Sequence, residues 1–340
     1  MPQGTFAVSE AVELAVVTRG DFDESRHSGT AIVLSADGDT LVSLGNTERT
    51  FLGRSSLKPL QSLAMHQAGL KLANPQQQAV SFASHNGTAA HVETVTEILQ
   101  AGGLTRDALL CPPAMPSDTE SLNAAIRDGE PAQSVFHNCS GKHSAMLRTC
   151  LVNDWPIENY TAPDHPLQQH ITEVLQRFSG ERPSPITVDG CGAPVHGLSL
   201  AGLARAYRKM AAADVDSPFP LNRISAHLLN AGRQFPELVQ GPGAPDTVAM
   251  QTAGVFSKCG AEGVSAMVAP DGTVVIVKIM DGSIRAAHAV ALTLLASVGA
   301  IEETVLAATL ERLELDVLGG GRPVGKIRVT ALNNAATEAL

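Results

Sequence analysis

Ala31-Ile32-Val33-Leu34-Ser35-Ala36-Asp37-Gly38-Asp39-Thr40-Leu41-Val42-Ser43-Leu44 reads as two apolar runs joined by a turn. An Asp-Gly pair between such runs favours a hairpin, because glycine supplies the positive φ that a tight turn needs. Upstream, residues 12–17 form another apolar run of strand length. Near the other end the pattern returns: residues 264–268, the turn Pro270-Asp271-Gly272, and residues 274–279. Between these ends the apolar spacing changes to that of helices, over residues 55–69, 91–99, 141–152, 165–178, 198–213 and 221–231. Two further helices, 284–298 and 301–313, are expected to close the chain. Strands at both ends with helices between predict an α+β fold. One antiparallel sheet, built from about 10–50 and 255–280, would be covered by helices, with 55–250 mostly helical and partly a separate lobe. Nothing in the sequence cuts the 340 residues into separate domains, so 1–340 reads as a single unit.

Composition narrows the function classes. The chain is 44% hydrophobic with a formal charge of −10, long enough for a substantial core and of the wrong sign to attract nucleic acid or an anionic membrane. Residues 1–10 lack the basic and apolar blocks of a signal peptide. The longest apolar run, 289–300, is too short to span a bilayer and reads as a buried helix. Five cysteines at irregular spacing fit reduced thiols and a cytoplasmic location. Aromatic residues make up only 4% of the chain, so the core must be mainly aliphatic.

Three short elements carry chemistry. Ser55-Ser56-Leu57-Lys58, Ser84-His85-Asn86 and Lys258-Cys259-Gly260 match, in order and type, the S-x-x-K, S-x-N and K-x-G elements of the serine penicillin-recognising enzymes. Residues i and i+3 share a helix face, so Ser55 and Lys58 can meet there while Ser56 faces elsewhere. A serine hydroxyl needs a base, and a lysine can serve only when neutral, about 3 pH units below its free value. Burial, a helix N-terminus and a second cation such as Lys258 all push that way. Each element also has a plainer reading: Ser55 as a helix cap, Ser84-His85-Asn86-Gly87 as a turn, Lys258 as a solvated strand-edge lysine. Asn138-Cys139-Ser140-Gly141-Lys142-His143 and Asp189-Gly190-Cys191-Gly192 are dense in polar and small residues. Their cysteine spacing is not that of a zinc finger or ribbon, so buried thiols are the reading from pattern alone. Asp189 ends the apolar stretch 185–188, a frequent place for a substrate-binding charge.

Taken together, these segments make the chain resemble the rhizobial-type (class 3) L-asparaginases, the asparaginase II family, over nearly its whole length. The resemblance rests on Arg54-Ser55-Ser56-Leu57-Lys58, Ala83-Ser84-His85-Asn86-Gly87, Asn138 to His143, Asp164-His165-Pro166, Asp189-Gly190-Cys191 and Lys258-Cys259-Gly260-Ala261-Glu262-Gly263. It implies a single catalytic unit of serine β-lactamase and glutaminase type, as a homodimer. It further implies two serine–lysine pairs, Ser55 with Lys58 and Ser84 with Lys258, and a zinc ion on Cys139, Lys142 and Cys191. The implied reaction is hydrolysis of L-asparagine to L-aspartate and ammonia through an ester on Ser55. Arg54, His143 and Asp189 are the candidates for binding the substrate's charged ends. Cys259 departs from the expected threonine-like residue, and a thiol is a weaker donor. The competing readings are a related serine amidohydrolase, acting on glutamine or on a β-lactam or peptide, and a non-catalytic amino-acid-binding protein on the same fold.

Overall fold

The structure, a computed structural model, describes residues 4–335. The chain begins with strands β1 (Val12–Arg19), β2 (Phe22–Leu34), β3 (Thr40–Leu44) and β4 (Thr50–Leu52). Helices α1 (Lys58–Gln67), α2 (Pro75–Ser81), α3 (Ala89–Gln100), α4 (Thr119–Asp128), α5 (Ser140–Val152) and α6 (Pro166–Ser179) follow. Strands β5 (Ile186–Val188) and β6 (Pro194–Ser199) interrupt them, before α7 (Leu200–Ala211), α8 (Pro220–Gln234), α9 (Pro236–Val239) and α10 (Pro245–Ala253). The chain then returns to strands β7 (Phe256–Gly260), β8 (Val264–Val268) and β9 (Val274–Ile279), helices α11 (Ala287–Ser297) and α12 (Glu303–Arg312), strands β10 (Asp316–Gly319) and β11 (Arg322–Val329), and α13 (Ala331–Ala335).

The large sheet runs β10-β11-β1-β2-β9-β8-β7, with β3 also on β2, and every pairing is antiparallel. Its seam is β2 against β9, where Ala31 faces Val277 and Ile32 faces Ile276. Alternation along these strands sends Ile32, Leu34, Val274 and Ile276 to the core shared with the helical lobe. Ala31, Val33, Val275 and Val277 go to the other face, under α11. That helix is apolar all round and buried accordingly, as its run of alanine, valine and leucine predicts. No helix among the described residues is long and apolar enough to cross a membrane.

The α+β class and the sheet drawn from distant parts of the chain are as the sequence predicts, and the hairpin turn falls between Leu34 and Thr40. Several elements differ. Residues 194–199 are a buried strand leading into α7, and β4, β6 and β5 make a second small sheet. Lys258 lies within a strand, rather than just before one. Residues 301–313 do not close the fold, because β10 and β11 follow and pair with β1. That last hairpin sits at the sheet edge, where Pro323 and Gly325 are tolerated and outward Lys326 and Arg328 alternate with inward Ile327 and Val329.

Three histidines, His91 and His196 buried and His66 half-buried, tie segments of the lobe together as neutral rings. His66 Nδ1 meets Leu70 O at 2.9 Å, His91 Nε2 meets Glu237 O at 2.9 Å, and His196 Nε2 meets Thr172 Oγ1 at 2.9 Å. Burial lowers each to about 4 from an ordinary 6.5. Each ring therefore binds its proton more weakly folded than unfolded, so stability is full above the unfolded value and falls as pH drops from about 6.5 toward 4. Urea unfolding between pH 7.5 and 4.5 should show the midpoint falling over that window. Replacing His66 by glutamine should make the fall shallower.

Candidate active site

The first element of the site is a sharp turn from strand into helix. After β4 the chain passes Gly53 and enters a 3₁₀ turn, Arg54–Leu57, that runs directly into α1. Arg54 adopts a left-handed conformation, φ 49°, which costs a non-glycine residue about 1–2 kcal/mol and marks a strained site. The turn separates the two serines. Ser56 is sealed, its Oγ donating to Gly53 O at 2.6 Å and its carbonyl accepting from Tyr207 Oη at 2.7 Å. Ser55 is half-buried. Lys58 follows one turn later with its side chain in the interior.

The second element is held from both sides. Ser84 N donates to Val239 O at 2.8 Å and Asn86 N to Gln240 O at 2.7 Å, while His85 N donates to Asn138 O at 3.1 Å. This places Ser84 Oγ between two amines, 2.9 Å from Lys58 Nζ and 2.8 Å from Lys258 Nζ. Lys58 Nζ also donates to Ala83 O at 2.6 Å, and Lys258 Nζ to Cys259 O at 2.9 Å. Relative exposures of 1% and 0% for Lys58 and Lys258 show that neither is a solvated surface lysine. Burial, followed by the nearby Lys258 and Lys142, holds Lys58 below the ordinary lysine value, against an opposing pull from Cys139.

The third element reaches the first by backbone contact. A Cβ on Gly260 would lie 2.9 Å from Gly53 O and 3.2 Å from Ser56 N, so only glycine lets β7 lie this close to the serine turn. Cys259 is a neutral thiol here, pushed up to about 12 by burial and by the adjacent Asp246 carboxylate, and accepts a long contact of 3.7 Å from Gln240 Nε2.

The remaining sequence-predicted residues converge from two directions. Arg54 Nε donates to Asp189 Oδ1 at 2.8 Å, and the partly exposed pair stands where the serine turn meets the segment after β5. Cys139, Lys142 and Cys191 gather underneath, all buried, with Lys142 Nζ 3.2 Å from Cys191 Sγ. A hydrogen bond shared with Cys139, together with Lys142 and His143, pulls Cys191 well below the ordinary thiol value; Cys139 keeps the proton and is raised. Burial works against Lys142, but the two sulfurs outweigh it and raise its value. His143 is buried beside them, with Nδ1 2.8 Å from Tyr160 Oη and its other nitrogen without an N or O partner. Among the described residues, no three His, Cys, Asp or Glu side chains could together hold a metal ion. Any ion in this cluster would need the lysine as its third donor.

The sequence did not single out Asp246, His288, Tyr207, Tyr160 or Gln240, all of which brace these elements. None stands in a recognisable motif. Asp246, one residue into α10 after Pro245, reads locally as a first-turn acidic residue.

The profile of the L-asparaginase II family matches residues 15–329, and the chain belongs to that family. It is accordingly a hydrolase of carbon–nitrogen amide bonds, of asparaginase type. The search of curated proteins gave no match. Among solved structures, a β-lactamase from Mycobacterium bovis is 17% identical, covering 79% of this chain and 94% of that one, with a TM-score of 0.44. Mglu in its glutamate form is 11% identical, covering 80% of this chain and 61% of that one, with a TM-score of 0.46. A β-lactamase from Desulfarculus baarsii is 16% identical, covering 79% and 91%, with a TM-score of 0.37.

The Gly260 contact generates a test. Gly260→Val puts side-chain atoms against Gly53 O, moves β7 off the serine turn and should lower amide hydrolysis by about 100-fold or more, the scale of a 1 Å misplacement. Circular dichroism should remain that of the parent.

Proposed function

We propose that the chain hydrolyses L-asparagine to L-aspartate and ammonia through a β-aspartyl ester on Ser55. The observation that carries this reading is the placement of Ser84 Oγ within 2.9 Å of two buried lysine amines. A hydroxyl has no structural need of two buried amines, but a proton relay does. Ser55 Oγ attacks the side-chain amide carbon, and its proton passes to neutral Lys58 across one helical turn. Backbone N–H groups, that of Ser55 among them, would stabilise the developing oxyanion. Collapse breaks the carbon–nitrogen bond, and the leaving nitrogen departs as ammonia with a proton relayed through Ser84. Water then attacks the ester carbonyl, gives its proton to Lys58, and Ser55 Oγ is released with a proton restored.

Arg54 and Asp189 offer opposite charges for the substrate's α-carboxylate and α-ammonium. Their mutual bond at 2.8 Å must loosen when substrate takes its place. His143 lies beneath this pair beside Cys191, and its part in binding would be exerted from there.

The donor set beneath the site suits zinc: two thiols and one amine, soft to borderline ligands converging in a buried space. Binding would displace the protons of Cys139 and Lys142, which a dication compensates. Cys139, Lys142 and Cys191 would hold the ion, and when bound it supplies a positive charge that orients substrate. A homodimer, as the family resemblance implies, and a cytoplasmic location, as the unpaired cysteines imply, complete the reading.

Purified protein should release ammonia from L-asparagine faster than from L-glutamine. A pocket separates substrates differing by one methylene by about 1–3 kcal/mol, or roughly 10–200-fold. Ser55→Ala should abolish release, whereas Ser56→Ala, which removes only the bond to Gly53 O, should retain turnover. Activity surviving in Ser55→Ala would reassign the nucleophile. Elemental analysis should find one zinc per chain in the parent and none in Cys191→Ser. An equal content in both would move the ion elsewhere.

A further inference from the structure

We propose that Asp246 is a positioning residue for Lys258, clamping the strand on both sides of that lysine and fixing its charge; this rests on the amide-hydrolase reading above. The carboxylate is fully buried at the N-terminal turn of α10. It accepts from Ser257 Oγ at 2.7 Å and from Cys259 N at 2.9 Å, the residues immediately before and after Lys258. Its Oδ2 lies 4.0 Å from Lys258 Nζ, an ion pair with both groups at zero exposure. From behind, His288 Nε2 of α11 meets Oδ1 at 2.9 Å. Gln240 Oε1 accepts from Asp246 N at 2.8 Å and fixes the start of α10.

The consequence concerns the two amines around Ser84. A reaction that needs one neutral lysine and one cationic lysine on the same hydroxyl must distinguish them. Lys58 is bonded to a neutral carbonyl and a hydroxyl, with no carboxylate in hydrogen-bond reach. Lys258 has the buried carboxylate of Asp246. The geometry therefore sets Lys258, with its carboxylate, as the amine that donates to Ser84 Oγ, and leaves Lys58, without one, as the base for Ser55. The other titratable groups facing this pair are Lys58 on α1, Tyr207 on α7, His288 on α11 and Cys259 on β7. Among these Asp246 supplies the negative charge. His288 also lines a cavity of about 340 Å³, bordered by Arg285, Leu313 and Asp316.

The test uses Asp246→Asn and Asp246→Ser, two shapes without the charge so that a folded variant is in hand, with Ser257→Ala as a control. Ser257→Ala removes one hydrogen bond to the same carboxylate but keeps its charge. In the Asp246 variants kcat for L-asparagine should fall about tenfold or more with KM within about twofold. The alkaline limb of the kcat profile should move down by about one pH unit or more, because a cation that loses its partner gives up its proton earlier. Ser257→Ala should leave that limb in place. An unmoved limb in the Asp246 variants, or the same displacement in Ser257→Ala, overturns the proposal and makes Asp246 a purely structural residue.

A second readout is independent of substrate: the rate at which phenylmethanesulfonyl fluoride modifies Ser55 across pH, followed by intact mass. If the parent is labelled but does not hydrolyse asparagine, the substrate reading fails and the labelling rates decide the role of Asp246 by the same criteria. If the parent's Ser55 is not labelled and ammonia is not released, the serine–lysine arrangement and this proposal fall together.

Discussion

One hydroxyl oxygen held within 2.9 Å of two buried lysine amines is the constraint on which the rest of the structure depends. Two ammonium groups so close and so far from water would repel strongly and lose most of their hydration. Such a cluster persists only if a proton is missing from one amine or negative charge is buried nearby. The fold provides for both. Lys58 sits in the interior at the start of a helix, where the field opposes a cation, and Lys258 sits beside a carboxylate with no exposure.

The architecture follows from having to deliver these amines from opposite directions. Lys58 arrives on the first turn of α1 and Lys258 on the edge strand of the large sheet. The strained residue at Arg54 lets β4 turn at once into that helix, and Gly260 lets the edge strand press against the turn. The cysteine and lysine cluster lies against the same lysine from below, since Cys139 and Lys142 both act on the Lys58 amine. The Lys58 amine is thus coupled to the lower cluster.

The sequence made part of this legible. The 31–44 hairpin, the return of strands at 264–279 and the buried run at 289–300 are local patterns whose period matches their surroundings, and the sheet and α11 form there. Register led the sequence to prefer Ser55 over Ser56, and the structure seals the Ser56 hydroxyl against Gly53 O. The β10–β11 hairpin was obscured by its exposed edge and its glycines, which weaken the strand pattern. β6 escaped notice because Pro194-Val195-His196-Gly197 has no alternation: it is buried on both faces of a small sheet. Asp246 was invisible for a deeper reason. Its significance lies in contacts with residues 11, 12, 13 and 42 positions away, and no local spacing encodes those.

The two amines that share Ser84 also set a clock on biosynthesis. Ser84 and Lys258 are 174 residues apart in the chain. At about 5–20 residues per second, a ribosome needs roughly 10–35 s after making the serine to supply the second lysine, and longer for β8 and β9 to anchor it. Throughout that interval the serine turn exists without the strand that packs against it. On the proposed mechanism the nascent protein is inert toward amides until the sheet closes across its seam, and enzymatic competence becomes a report on finished folding.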